Sequence, residues 1–128
     1  MPINADLSQA IRDPLPAGSV VEVQVESVKE ETASTGTPML VWDLIITDPP
    51  EPDSPRHIFE NTMLAGKGMF RTALLLEALG VRYGKQRPDL NGGFDEADAI
   101  GQRCRALLKV ENYEGRDSNK IDKFMPLA

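Results

Sequence analysis

The chain has 128 residues and a formal net charge of −6, a size that fits one domain able to bury a normal core without disulfide or metal staples. Its single cysteine, Cys104, excludes an intramolecular disulfide framework. No apolar run approaches membrane-spanning length and no N-terminal stretch reads as a signal peptide, so a soluble, cytoplasmic protein without membrane contact is expected. The acidic balance argues against a surface that is basic throughout, but the charges are uneven. Up to Leu64 the only basic residues are Arg12, Lys29 and Arg56, against eleven acidic ones; from Ala65 onward eleven basic residues face nine acidic ones. Local phosphate neutralisation needs a basic patch rather than a basic chain.

Residues 1–17, punctuated by Pro2, Pro14 and Pro16, read as an N-terminal arm with a short helical turn around Asp6–Ile11. A single domain is expected over 18–128. In Val20–Val28, Val21, Val23 and Val25 alternate with Glu22, Gln24 and Glu26, the period of a strand with one face inside and one in water. Glu30–Pro38, with Ser and Thr around Gly36, reads as a flexible hairpin loop. A second strand spans Met39–Thr47, with Leu40, Trp42, Leu44 and Ile46 on one face and Val41, Asp43, Ile45 and Thr47 on the other. Its nearly unbroken apolar character places it centrally in a sheet. Four prolines between Asp48 and Pro55 require an exposed loop, and a third strand follows at His57–Met63.

A helical pattern covers Gly68–Leu79. Met69, Phe70, Ala73, Leu74 and Glu77 mark one side, Leu76 and Leu79 widen the apolar stripe, and Arg71 flanks it. Gly80 stands where a left-handed C-cap would. Val81–Gly101 is a polar insertion, with a helical turn expected at Asp95–Ile100. The fourth strand, Arg103–Val110, places Cys104, Ala106, Leu108 and Val110 on one face and Arg103, Arg105, Leu107 and Lys109 on the other. After a hairpin loop at Glu111–Ser118, the fifth strand, Asn119–Met125, carries Lys120, Asp122 and Phe124 opposite Ile121, Lys123 and Met125.

Three strands, one helix and two further strands follow the order of a mainly β, five-stranded OB-type barrel (β1-β2-β3-α-β4-β5), here with a polar insertion before β4. The usual clients of that fold are oligonucleotides and oligosaccharides. No enzyme signature competes with it. One histidine, His57, and one cysteine support neither a zinc cluster nor a Cys–His pair, and no metal or cofactor is implied. Gly66-Lys67-Gly68 lacks the spacer and following Ser or Thr of a P-loop, so its glycines read as permitting a strand-to-helix turn. The cations of the last two strands are more informative. Arg103, Arg105 and Lys109 alternate on one strand, Arg116, Lys120 and Lys123 follow, and Tyr113 and Phe124 interleave with them. Cations that track a backbone, joined to rings on which bases stack, are what sequence-tolerant single-strand binding requires.

Gly36-Thr-Pro-Met-Leu-Val-Trp42, Ile58-Phe-Glu-Asn61 and Leu76-Glu-Ala-Leu-Gly80 occur in that order, followed by Gly101-Gln102 and Asn119-Lys-Ile-Asp-Lys-Phe124. Together they resemble a phage-encoded family of single-stranded DNA-binding proteins, earlier catalogued as a phage domain of unknown function. The resemblance spans residues 20–126. It implies an OB-type fold, single-stranded DNA as the ligand, and a role in phage DNA replication or recombination. Polymerase, helicase, nuclease or recombinase partners are implied with it, and a homo-oligomer is compatible with it. Bacterial single-strand binding proteins typically end in an acidic tail, whereas this sequence ends Lys123-Phe-Met-Pro-Leu-Ala128, so recruitment through such a tail is not expected. On this reading Arg103, Arg105, Lys109, Lys120 and Lys123 meet phosphates. Tyr113 and Arg116, with Lys29 from the far side of the groove, close over the strand. Phe124 stacks bases, with Trp42 a second stacking candidate whose neighbours also suit the core. The alternative is a protein-interaction or virion structural module on the same barrel, suggested by the net charge and by an aromatic content of only 5%.

Overall fold

The computed structural model describes Pro2 and residues 13–127; the helical turn expected at Asp6–Ile11 lies outside the described residues. Five antiparallel strands form one sheet in the order β3-β2-β1-β4-β5: β1 Val20–Thr32, β2 Pro38–Asp48, β3 His57–Met63, β4 Arg103–Tyr113 and β5 Arg116–Met125. β2 lies between β1 and β3, as its apolar sequence requires, with Leu40, Trp42, Leu44 and Ile46 all buried. β1 serves two neighbours: residues 20–24 pair with β4 and residues 22–32 with β2. Edge strands β3 and β5 are not joined by a ladder among the described residues, so closure of the sheet into a hydrogen-bonded barrel is absent.

Strand lengths differ from the sequence pattern. β1 runs on to Thr32, and the turn after it is confined to Ala33–Thr37. The expected Glu111–Ser118 loop is instead mostly strand, because β4 and β5 pair as far as Tyr113 opposite Arg116 around Glu114-Gly115. Both turn residues have positive φ, 52° and 78°, the backbone of a tight two-residue hairpin whose twist matches that of its strands.

Two of the sheet's three register shifts reset the alternation. Glu26 is the extra residue between Val25 opposite Leu44 and Ser27 opposite Asp43, which turns Val28 into the core beside Val25. Asp122 is the extra residue of β5, since Leu107 pairs with Lys123 and Leu108 with Ile121. Ile121 and Phe124 therefore both face inward, while Lys120 and Lys123 share the outer face. This corrects the sequence reading, which grouped Phe124 with Lys120.

The main helix, α1 (Met69–Leu79), follows a turn at Gly66–Gly68. At Gly68 a Cβ would lie 2.8 Å from Met63 Cβ and Cγ, so the close strand-to-helix approach depends on that glycine. Gly80 ends the helix in the left-handed conformation, φ 76°. The buried side of α1 is Thr72, Leu75, Leu76, Ala78 and Leu79, not the Met69–Phe70–Leu74 side expected. The polar Thr72 is tolerated inside because its hydroxyl donates to Met63 O at 2.7 Å. Each fully buried leucine contributes about 1.5–3 kcal/mol. A second, four-residue helix, α2 (Glu96–Ala99), is capped by Asp95, whose carboxylate accepts from Ala97 N at 3.0 Å. Phe94, just before it, stacks on Trp42 with ring centroids 6.0 Å apart.

Before β1, Leu15 is tied to β5: its N–H donates to Asn119 Oδ1 and its carbonyl accepts from Asn119 Nδ2. Among the described residues no helix is long and apolar enough to cross a membrane.

Candidate nucleic-acid interface

A cleft of about 510 Å³ opens at the seam between the two edge strands, lined by Phe59, Glu60 and Asn61 of β3, Arg71 of α1, Lys109 and Glu111 of β4, and Lys120 and Ile121 of β5. Strand register explains why these side chains converge. Phe59 and Asn61 point outward from β3 while Ile58, Glu60 and Thr62 are buried. Across the seam Lys109 and Lys120 stand directly opposite each other on the outer face of β4–β5. Like charges in that relation repel, and of the two, among the described residues, Lys109 alone is ion-paired, to Glu111 Oε1 at 3.1 Å. The ring of Phe59 is 57% exposed and stacks against His57, with centroids 6.3 Å apart. The His57 ring is held by Asp43, with Nδ1 2.7 Å from Oδ1. The cleft thus has an aromatic bank on β3 and a cationic bank on β4–β5.

Arg71 forms its floor. Its Nε donates to Glu60 Oε1 at 2.6 Å and its Nη2 to the Ile121 carbonyl at 2.7 Å, so one guanidinium ties α1 to both edge strands where no ladder does. The same group lies over the Phe124 ring, 4.7 Å from its centroid.

The expected site residues divide. Lys109 and Lys120 line the cleft. Tyr113, 75% exposed, and Arg116 face each other at the tip of the same hairpin. Lys29 is exposed in the row Lys29–Val41–Asn61 across β1, β2 and β3, two strand spacings or roughly 10 Å from the β3 bank. Lys123 is exposed on the outer face opposite Leu107. Arg103 and Arg105 are also exposed but lie apart from the cleft. Arg103 donates to Gln24 Oε1 and Glu22 Oε1, each at 3.1 Å, and Arg105 donates to the Pro126 carbonyl.

Two expectations are corrected. Trp42 is fully buried, its Nε1 donating to Thr62 Oγ1 at 2.9 Å and one ring face covered by Phe94, so it offers no surface to a base. Phe124 is not a free stacking platform either, because the β5 bulge turns it toward the core and Arg71 covers its ring.

Sequence reasoning favoured the core for Phe59, as for Trp42, and gave Arg71 no part in the site. For Phe59 the signal was present: in a strand alternating His57, Phe59, Asn61 against Ile58, Glu60, Thr62, either face could be the inner one. Arg71 gave no signal, since its partners are 11 and 50 residues away.

Elsewhere, burial pushes the Cys104 thiol up to about 12, leaving it protonated and unreactive. Among the described residues no group of three His, Cys, Asp or Glu side chains is placed to hold a metal ion. No family model matches the chain, and no curated protein matches it.

Proposed function

We propose that this chain is a non-enzymatic, largely sequence-independent single-stranded DNA-binding protein built on an OB-type barrel, acting in phage DNA replication or recombination in the host cytoplasm. The strand order β3-β2-β1-β4-β5 supports the fold assignment, because it leaves β3 and β5 as the two edges, the strands whose pairing would close such a barrel. The observation that carries the ligand assignment is the seam cleft, in which the exposed Phe59 faces Lys109 and Lys120. A ring for base stacking opposite cations for the backbone is the minimal equipment for a single strand. Tyr113 and Arg116 extend the cationic bank along the hairpin, and Lys29 flanks the aromatic one. The phage setting rests on the sequence resemblance alone.

The test is fluorescence anisotropy of a labelled poly-dT titrated with the protein at low and moderate salt, beside a duplex of equal length. Binding that salt weakens, with the duplex bound poorly, supports the proposal; no binding at either salt refutes it. The second reading, a protein-interaction or virion structural module, is favoured by one observation, the exposed apolar side of α1. It would give a stable hetero-complex with no response to oligonucleotide.

A further inference from the structure

The side of α1 turned away from the core is apolar and uncovered. Met69 is 48%, Phe70 66% and Leu74 57% exposed. With Leu64, Tyr83 and Phe94 they line a groove of about 600 Å³ whose one charged lining residue, Glu77, accepts a hydrogen bond from the Tyr83 hydroxyl. The groove continues past Leu64, Gly93 and Phe94 into a second cleft of about 530 Å³, which is rimmed by Glu30, Asp95 and Glu96. Asp95 is engaged in capping α2, but among the described residues neither Glu30 nor Glu96 has an ion-pair partner. The continuous surface is therefore apolar at one end and acidic at the other. It shares no lining residue with the cationic seam cleft.

We propose that this groove docks a basic amphipathic segment of a partner protein, its apolar side chains laid along Met69, Phe70 and Leu74 and its Lys or Arg residues meeting Glu30 and Glu96. Charge selects this occupant. Nucleic acid is repelled by the acidic rim. A second copy docked isologously along the whole length of the groove would set each acidic rim against the other copy's apolar stretch, whose lining holds no Lys or Arg. A segment with apolar anchors at helical spacing and cations at one end fills both parts at once. The assignment is independent of DNA binding, since the two surfaces are separate.

The test is selection of a random peptide library displayed on phage against the full chain, with the Leu74→Asp variant as counter-target. Leu74 is exposed, so the variant keeps the fold. Enriched peptides are expected to combine apolar residues with Lys or Arg. A synthetic copy should bind wild type and lose about tenfold or more on Leu74→Asp, the scale of a lost interface anchor. The double reversal Glu30→Lys/Glu96→Lys should weaken it several-fold and flatten its salt dependence, with poly-dT affinity not reduced by either change. Three results overturn the inference: no enrichment over the variant, enrichment of acidic or uncharged peptides, or a dimer in solution that Leu74→Asp dissolves.

Discussion

Replacing Lys109 and Lys120 together by alanine should reduce single-strand affinity while leaving the fold intact. A lysine that neutralises one phosphate of a single strand contributes about −0.7 to the slope of log affinity against log salt, so the pair contributes about −1.4. At ~0.1 M salt that corresponds to about 25-fold in affinity, or ~2 kcal/mol, with the gap closing toward ~1 M. Folding stability should barely respond. Removing one of two directly opposed like charges relieves ~0.2–1 kcal/mol, and losing the exposed Lys109–Glu111 pair costs ~0–1 kcal/mol, so the two offset. The assay is anisotropy of labelled poly-dT over a salt series, paired with thermal unfolding of the same samples. Equal salt slopes for wild type and variant would refute the assignment of these lysines to the ligand. An Arg103→Ala/Arg105→Ala variant should lose less, because Arg103 is already engaged by Glu22 and Gln24. If it lost more, the strand would run over the β1–β4 face instead of the seam.

Phe59→Ala should lose about 1–3 kcal/mol of single-strand binding with an unchanged unfolding midpoint, whereas Trp42→Ala should cost about 3–5 kcal/mol of stability, read from urea denaturation. Arg71→Met strands the nearly buried Glu60 carboxylate and should destabilise by about 1–3 kcal/mol, less than a fully buried pair because Arg71 is one-third exposed. Adding Glu60→Gln should recover part of that loss; strictly additive effects in the double-mutant cycle would show that the two side chains do not act on each other. Cys104 titrates in the unfolded chain near its ordinary value of 9.0 and in the folded protein near 12. The folded state therefore holds the proton that the unfolded state releases, and stability falls as pH rises from 9 toward 12, with no contribution from this group below that window. Replacing Cys104 by Ala should remove that component of the alkaline loss. In the native wild type the thiol should resist alkylation at pH 8 until denaturant is added.

The same contrast between local and long-range determinants decides what was legible in the sequence. Where alternation is unbroken the inner face could be read directly: Leu40, Trp42, Leu44 and Ile46 in β2, and Cys104, Ala106 and Leu108 in β4, are all buried. Where a bulge intervenes it could not. Glu26 and Asp122 are ordinary exposed residues, and nothing in their chemistry announces that the strand gains one residue there. The extra residue is fixed by pairing with the neighbouring strand, which is why Phe124 turned inward against expectation. Helix α1 failed for a different reason. Its sequence carries Met69, Phe70 and Leu74 on one side and Leu75, Leu76, Ala78 and Leu79 on the other, so hydrophobicity alone leaves the orientation open. The choice falls to Thr72, which reaches the Met63 carbonyl, and to Arg71, which reaches Glu60 and Ile121. Having two apolar sides and one core to bury them in, the helix must leave one uncovered. The side it leaves is the one beside the insertion, so the ambiguity that defeated the sequence reading and the groove open to a partner have the same cause.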